Sequence, residues 1–225
     1  NPFLAPPPLP ELVPTVEQID VAATANDASV ITIGRNSGEF IDRKAKDDFY
    51  LTEAEQTLIR TVSAAFHKAG KPVVVVLNIG GVIEVASWRD QVDAILLAWQ
   101  PGQEAGHAMA DVLSGKVNPS GKLTDTFALD LKDYPAAENF PGVMLLGPDP
   151  AARGGIVIND RAAEVEYRDD IRVGYRHFNT RGVEVAYPFG YGLSYTRFEY
   201  RGLKLTREDA GFTASVIVTN TGCRA

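Results

Sequence analysis

Apolar positions along the chain recur in two rhythms. Between Thr52 and Ala69, Leu58, Ile59, Val62 and Phe66 follow helical spacing. Thr52 and Glu55 open that stretch with the Ser/Thr-x-x-Glu pattern, in which each side chain satisfies the other's backbone N–H. The pattern predicts a helix ending near Ala69, with Gly70 at its C-terminal cap. Thr15 and Gln18 repeat the capping pattern and predict another helix start. The second rhythm is continuous. Val73–Leu77 is apolar on both sides, Ala94–Trp99 repeats it, and Ala28–Gly34 is rich in β-formers. Such runs mark strands buried in a parallel sheet. Ile83–Asp90 reads as a short helix or turn. Pro101–Glu104 leads into a helix ending at Leu113, stopped by Gly115 and Asn118-Pro119. Strands alternating with helices predict an α/β fold, a mostly parallel sheet with helices on both faces.

Past residue 120 the periodicity weakens. Gly154–Asp170 and Arg172–Phe178 read as short strands, and Pro188–Tyr195 as a turn-rich aromatic stretch. From Arg201, alternation in Leu203–Leu205 and Phe212–Thr219 predicts the first strands of an all-β immunoglobulin-like module, too few to bury a sandwich core. The expected organisation is a linker or loop over 1–14, which holds six of the prolines, an α/β domain over 15–200 and a truncated β-module over 201–225.

Composition narrows the function classes. Hydrophobic residues make up 45% and charged residues 23% of the 225, ordinary for a globular protein and unlike a disordered tail or coiled coil. A net charge of −7 and a sequence pI near 5.0 argue against nucleic acid as a partner. The longest apolar runs fall short of a bilayer span, so no membrane partner is expected. Cys223, the single cysteine, has no intrachain partner and leaves the redox compartment open between cytoplasm and an exported, bacterial-type setting. The chain begins Asn1-Pro2-Phe3 without leader features and ends Thr221-Gly222-Cys223-Arg224-Ala225, so it is expected to be a piece of a longer polypeptide.

In an open parallel sheet, ligands bind beyond the carboxyl ends of the strands. Arg35–Glu39, Asn78–Gly81 and Gln100–Glu104 hold that position. Of these the first offers the clearest proton-transfer group, Glu39, although position alone reads it as a solvated loop carboxylate. Glu104 and His107 share a helical face without a third metal ligand nearby, so no metal is expected. Gly102-x-x-x-Gly106 lacks the further residues of a dinucleotide or phosphate loop, so no cofactor is expected. Ser37 and Ser194 have no nucleophile-elbow pattern. Asp47-Asp48 and Asp169-Asp170 read as charged surface turns, and Trp88 and Trp99 as core.

Taken together, the motifs resemble a family. Ser37-Gly38-Glu39-x-x-Asp42-Arg43, followed by Asp48-Phe49-Tyr50-Leu51-Thr52, is similar to the acid/base loop of family 3 glycoside hydrolases, the β-glucosidase group. Val73–Asn78 with Gly80, Ala98-Trp99-x-Pro101-Gly102-Gln103-Glu104, Asp111-Val112-Leu113-x-Gly115 and Asn118–Leu123 resemble that family's C-terminal sandwich domain. Thr126-Phe127, Val173–Arg176 and Phe189–Thr196 continue the match, and 205–222 resembles the opening of its fibronectin type III-like domain.

The resemblance implies a retaining β-glucosidase acting on terminal β-D-glucosyl residues. Its nucleophilic Asp would lie on a TIM barrel absent from this sequence, with Glu39 as acid/base and Ser37, Gly38, Phe40, Asp42 and Arg43 as the supporting loop. A homodimer, and a β-xylosidase or other exo-β-glycosidase, stay open. A related hexosaminidase needs no such Glu. The rival reading from another class is a non-catalytic carbohydrate-binding or scaffolding domain. Phe40-Ile41 stands where Gly-Tyr is frequent, and Thr124-Asp125 replaces a Pro-containing pair. A bulkier Phe40 would reshape the leaving-group side. An acid must keep its proton near working pH, and nearby cations oppose that. Arg35, Arg43, Lys44 and Lys46 are therefore expected to point outward or to pair with Asp42, Asp47 and Asp48.

Overall fold

The computed structural model describes residues 11–36, 42–144 and 163–224. In chain order its elements are α1 (Val16–Ala25), β1 (Ser29–Arg35), α2 (Glu53–Lys68), β2 (Val73–Ile79), β3 (Ala94–Leu97), α3 (Ala105–Leu113), β4 (Phe127–Ala128), β5 (Val143–Met144), β6 (Ala163–Glu164), α4 (Tyr175–Arg181), β7 (Val185–Tyr187), β8 (Phe198–Glu208) and β9 (Gly211–Asn220). They divide between two compact units: Asn1–Pro101 with Asp125–Phe189, and Gly102–Thr124 with Gly190–Ala225.

In the first unit, β1, β2 and β3 form a parallel three-stranded sheet in that order. The register sets Val75 between Ile31 and Ile95, and Leu77 between Ile33 and Leu97. Helix α2 crosses from β1 to β2 and contacts both strands, and α1 packs on α2. Ile59, Val62 and Phe66 of α2 are buried, as are Ile31, Ile33, Val73, Val75 and Leu77 of the sheet. Each such side chain contributes about 1.5–3 kcal/mol relative to exposure. Both expected capping boxes form, Thr15 with Gln18 and Thr52 with Glu55. Lys71 Nζ donates to the carbonyls of Ala23 and Thr24 at 2.7 and 3.1 Å, satisfying acceptors at the end of α1.

Beyond the sheet, β4 pairs with β7 and β5 with β6, both antiparallel. The strand expected within Gly154–Asp170 is met at Ala163–Glu164; residues 154–162 lie outside the described ones. Arg172–Phe178, expected as a strand, is instead the approach to and start of α4. The local causes are two glycines and one aromatic. Gly174 at φ 56° starts the helix, Gly182 at φ 66° ends it in the left-handed conformation, and Phe178 between them is buried edge-on against Tyr134.

The second unit joins α3 and the antiparallel hairpin of β8 and β9 through a cluster around Asn118. Its Oδ1 accepts from Ser194 Oγ at 3.1 Å and from the Tyr195 N–H at 2.8 Å, while the Tyr195 hydroxyl donates to the Val112 carbonyl at 3.0 Å. Ser194 is thus a structural donor. In the hairpin, the register shifts between Arg201 and Lys204 and Gly202 sits at φ 64°. That bulge sets two residues against one. It keeps Tyr200 and Leu205 on one face with Phe212 and Val218, even though their sequence parity differs.

Candidate functional site at the carboxyl edge of the parallel sheet

Parallel pairing places Arg35, the last residue of β1, beside Ile79 at the end of β2. Gly80 and Gly81 follow β2, and Asn78 just before them donates through Nδ2 to the Trp99 carbonyl. Trp99 takes φ 52° there and is half-buried near Phe127, whereas Trp88 is fully core. Of the segments expected at this edge, Arg35–Asn36 and Asn78–Gly81 leave β1 and β2 side by side.

Ser37, Gly38, Glu39 and Phe40 lie outside the described residues. What flanks them is a network of two arginines and two carboxylates. Arg35 forms a bidentate pair with Glu55, Nη1 to Oε1 at 2.6 Å and Nη2 to Oε2 at 2.7 Å, with only 10% and 7% of the two side chains exposed. Its Nε donates to the Asp48 carbonyl at 2.9 Å. Arg43 turns its Nε and Nη2 onto Asp48 Oδ1 at 2.9 and 2.6 Å, and its Nη1 onto the Val82 carbonyl at 2.9 Å. The Lys44 N–H reaches Asp48 Oδ2 at 3.1 Å. Asp42, Lys44, Lys46 and Asp47 are exposed.

The expected pairing with a loop aspartate holds for Arg43 with Asp48 at 2.6 Å; Arg35 also reaches Asp48, at 3.9 Å, but its close partner is Glu55, which that expectation did not include. Asp48 is likewise no surface turn; it closes the network and is half-buried. The sequence does mark Glu55, but as the capping partner of Thr52, and that role is also filled, since its Oε2 accepts the Thr52 N–H at 2.8 Å. Burial alone would raise its pKa. The hydrogen bonds from Arg35 and Thr52 and the Arg35 charge outweigh it, leaving Glu55 below the ordinary carboxylate value.

Behind the network lies an aromatic and polar support. The Glu84 N–H donates to the Phe49 carbonyl at 2.8 Å, joining the chain after β2 to the turn after Arg43. Glu84 is buried with its oxygens satisfied by the Ser87 N–H and Oγ at 2.6 and 2.7 Å. The Tyr50 hydroxyl donates to Asp130 Oδ1 at 2.9 Å, and burial pushes its pKa up. Asp48 and Glu55 both accept hydrogen bonds from guanidiniums, so neither is placed to donate a proton. Among the described residues no three His, Cys, Asp or Glu side chains gather as a metal group, and His107 pairs with Glu104 at 2.8 Å on the surface. A cavity of about 270 Å³ between Lys132, Tyr134, Glu138, Arg172 and Arg181 holds none of the candidate residues and mixes both signs of charge. No described helix is long and apolar enough to cross a membrane.

Comparison with known proteins agrees with this architecture. The chain is 40% identical over 186 residues to beta-glucosidase A of Butyrivibrio fibrisolvens, covering 72% of itself and 20% of that protein. It is 35% identical to an exo-alpha-(1->6)-L-arabinopyranosidase of Bifidobacterium breve, covering 90% of itself and 24% of the relative. Beta-glucosidase 3B from Thermotoga neapolitana, solved with alpha-D-glucose, superimposes with a TM-score of 0.84 at 49% identity, over 96% of this chain and 28% of that one. The chain therefore spans between a fifth and three tenths of these proteins. Residues 13–195 match the C-terminal domain of glycosyl hydrolase family 3, and to that family the chain belongs.

Proposed function

We propose that this chain is part of a retaining β-glucosidase and supplies its acid/base group, Glu39. The nucleophilic Asp would stand on a barrel contributed by the rest of a longer polypeptide. In the first step the nucleophile attacks the anomeric carbon and forms a glycosyl ester. The glycosidic C–O bond breaks, and Glu39 gives its proton to the leaving oxygen. In the second step Glu39, now a carboxylate, takes a proton from water as that water displaces the nucleophile.

One observation carries the reading. Glu39 stands midway between Arg35 and Arg43 in the sequence, and both guanidiniums are engaged by other carboxylates. Two free cations so near would favour the ionised form and spoil the acid role. Paired, they leave a proton-holding carboxyl compatible with its neighbours. The β-hairpin of β8 and β9, apolar on one face and exposed, supports our assignment of 201–225 to the opening of a fibronectin type III-like domain.

The test is kinetic and uses the complete enzyme. Glu39→Ala is expected to slow hydrolysis of an alkyl β-glucoside by about 10²–10⁴-fold, the usual worth of general acid catalysis. A 2,4-dinitrophenyl glucoside, whose leaving group needs no proton, should still be attacked, and added azide should restore turnover as a β-glucosyl azide. Unchanged hydrolysis of the alkyl glucoside would exclude the role. Parallel assays with β-xyloside and arabinopyranoside substrates read out the sugar preference.

A further inference from the structure

We infer that Glu55 and Asp48 are positioning residues for the proton transfer, acting through Arg35 and Arg43 from outside the segment that carries the acid/base group. The inference rests on the reading of Glu39 above and deepens it. Arg35 is the last residue of a sheet strand, and its side chain is locked to the first turn of α2 by two parallel N–H···O bonds. Bidentate, charge-assisted pairs of this kind set orientation as well as energy. Arg43 is locked twice over, to Asp48 through two nitrogens and to the Val82 carbonyl through the third. Thus β1, α2 and the turn after β2 together set where the chain leaves the sheet at Arg35 and where it returns at Arg43.

Gly81 belongs to the same device. A side chain there would begin 2.7 Å from Arg43 Nη1, inside contact distance, so the guanidinium occupies the volume a larger residue would take. Arg43 cannot yield freely, because moving its Nη1 breaks the bond to Val82 and drags the Asp48 contact. Placement errors of an ångström in a catalytic group cost up to about 10²-fold in rate. Paired guanidiniums at both ends of a short catalytic segment are a direct way to exclude such errors.

Two variants separate positioning from mere folding. Arg43→Lys keeps the charge but loses the planar fork that Asp48 and Val82 engage. Gly81→Ala removes none of the ion-pair atoms and displaces Arg43 sterically, its Cβ falling 2.7 Å from Nη1. In the complete enzyme, each is expected to lower kcat/KM for an alkyl β-glucoside between about 10- and 100-fold. Each should change kcat/KM for the 2,4-dinitrophenyl glucoside by less than about 3-fold, since that ratio reports bond cleavage, which does not use the acid there, whereas kcat also carries the base-assisted second step. Azide should give no rescue, because the carboxyl is still present. Circular dichroism and the thermal midpoint of the same samples report folding, and Gly81→Ala carries the test if Arg43→Lys unfolds. Glu39→Ala is measured alongside. If it shows no leaving-group dependence, the acid/base reading falls. If it does, and both other variants lose the two substrates equally or lose neither, the positioning role falls while the acid/base reading stands.

Discussion

At the scale of single residues, Glu55 holds two structures together with one carboxyl group. Oε1 and Oε2 take the two ends of the Arg35 fork, and Oε2 also closes the N-terminus of α2 through Thr52. A fold that needs this group ionised must lose stability in acid. Its folded pKa lies below the ordinary 4.5. The stabilisation is therefore complete above that value and disappears as pH falls from it through the folded pKa. Glu55→Gln leaves Arg35 charged and nearly buried, and removing one partner of such a pair costs about 3–5 kcal/mol. We expect the thermal midpoint of the variant to lie well below the parent at pH 7, and the gap to narrow below pH 4.5. A gap independent of pH would mean that packing, not charge, makes Glu55 matter. Part of this is legible in the sequence, since Thr52-x-x-Glu55 announces the cap. The pairing with Arg35 is not: it joins residues on different elements, and Asp47 and Asp48 stand nearer in sequence as candidate partners.

At the scale of elements, a capping box led by Thr occurs twice among the described residues, with unequal surroundings. Thr15 and Gln18 exchange hydrogen bonds at 2.9 and 3.3 Å on an exposed helix end. Thr52 does so inside the ion-pair network, and its hydroxyl also donates to Glu55 Oε2 at 3.0 Å. An N-cap Thr→Ala change costs about 1 kcal/mol. Thr15→Ala is expected to cost no more than this, and Thr52→Ala more, because it also loosens the carboxylate that holds Arg35. Denaturant midpoints of the two variants check the order; equal losses would show that the network is indifferent to its cap. The helices that announce themselves by caps and apolar spacing, α1 and α2, form where the sequence points. Helix α4 is not legible in the same way, because it is short and its driving contact, Phe178 against Tyr134, is tertiary. Its glycines could equally frame a strand and give no contrary signal. In the hairpin, Gly202 breaks the simple alternation of apolar residues, so Tyr200 and Leu205 share a face that parity alone would deny them.

At the scale of the molecule, apolar surface is unevenly covered. Tyr200, Leu205 and Phe212, on one face of the hairpin, are 68%, 65% and 74% exposed, and Val30 on the outer face of β1 is 52% exposed. Contiguous apolar surface of the kind the hairpin carries marks a surface that meets something else. The relatives run to several times this length, the chain covering 28% of the Thermotoga neapolitana enzyme. The 225-residue chain by itself is therefore expected to bind a hydrophobic dye and to self-associate. Because one hairpin face sets Tyr200, Leu205, Phe212, Val216 and Val218 together, Leu205→Lys with Phe212→Lys should reduce both effects without changing the far-ultraviolet spectrum, since exposed positions tolerate charge. The same pair introduced into the complete enzyme has the opposite meaning. If further strands cover the face there, two lysines become buried without partners, and that penalty is several kcal/mol per uncompensated charge. The thermal midpoint of the complete enzyme should then fall sharply while the isolated chain becomes better behaved. Matching behaviour in both settings would mean that the face stays open to solvent in the whole protein, and that the hairpin does not begin a larger β-sandwich.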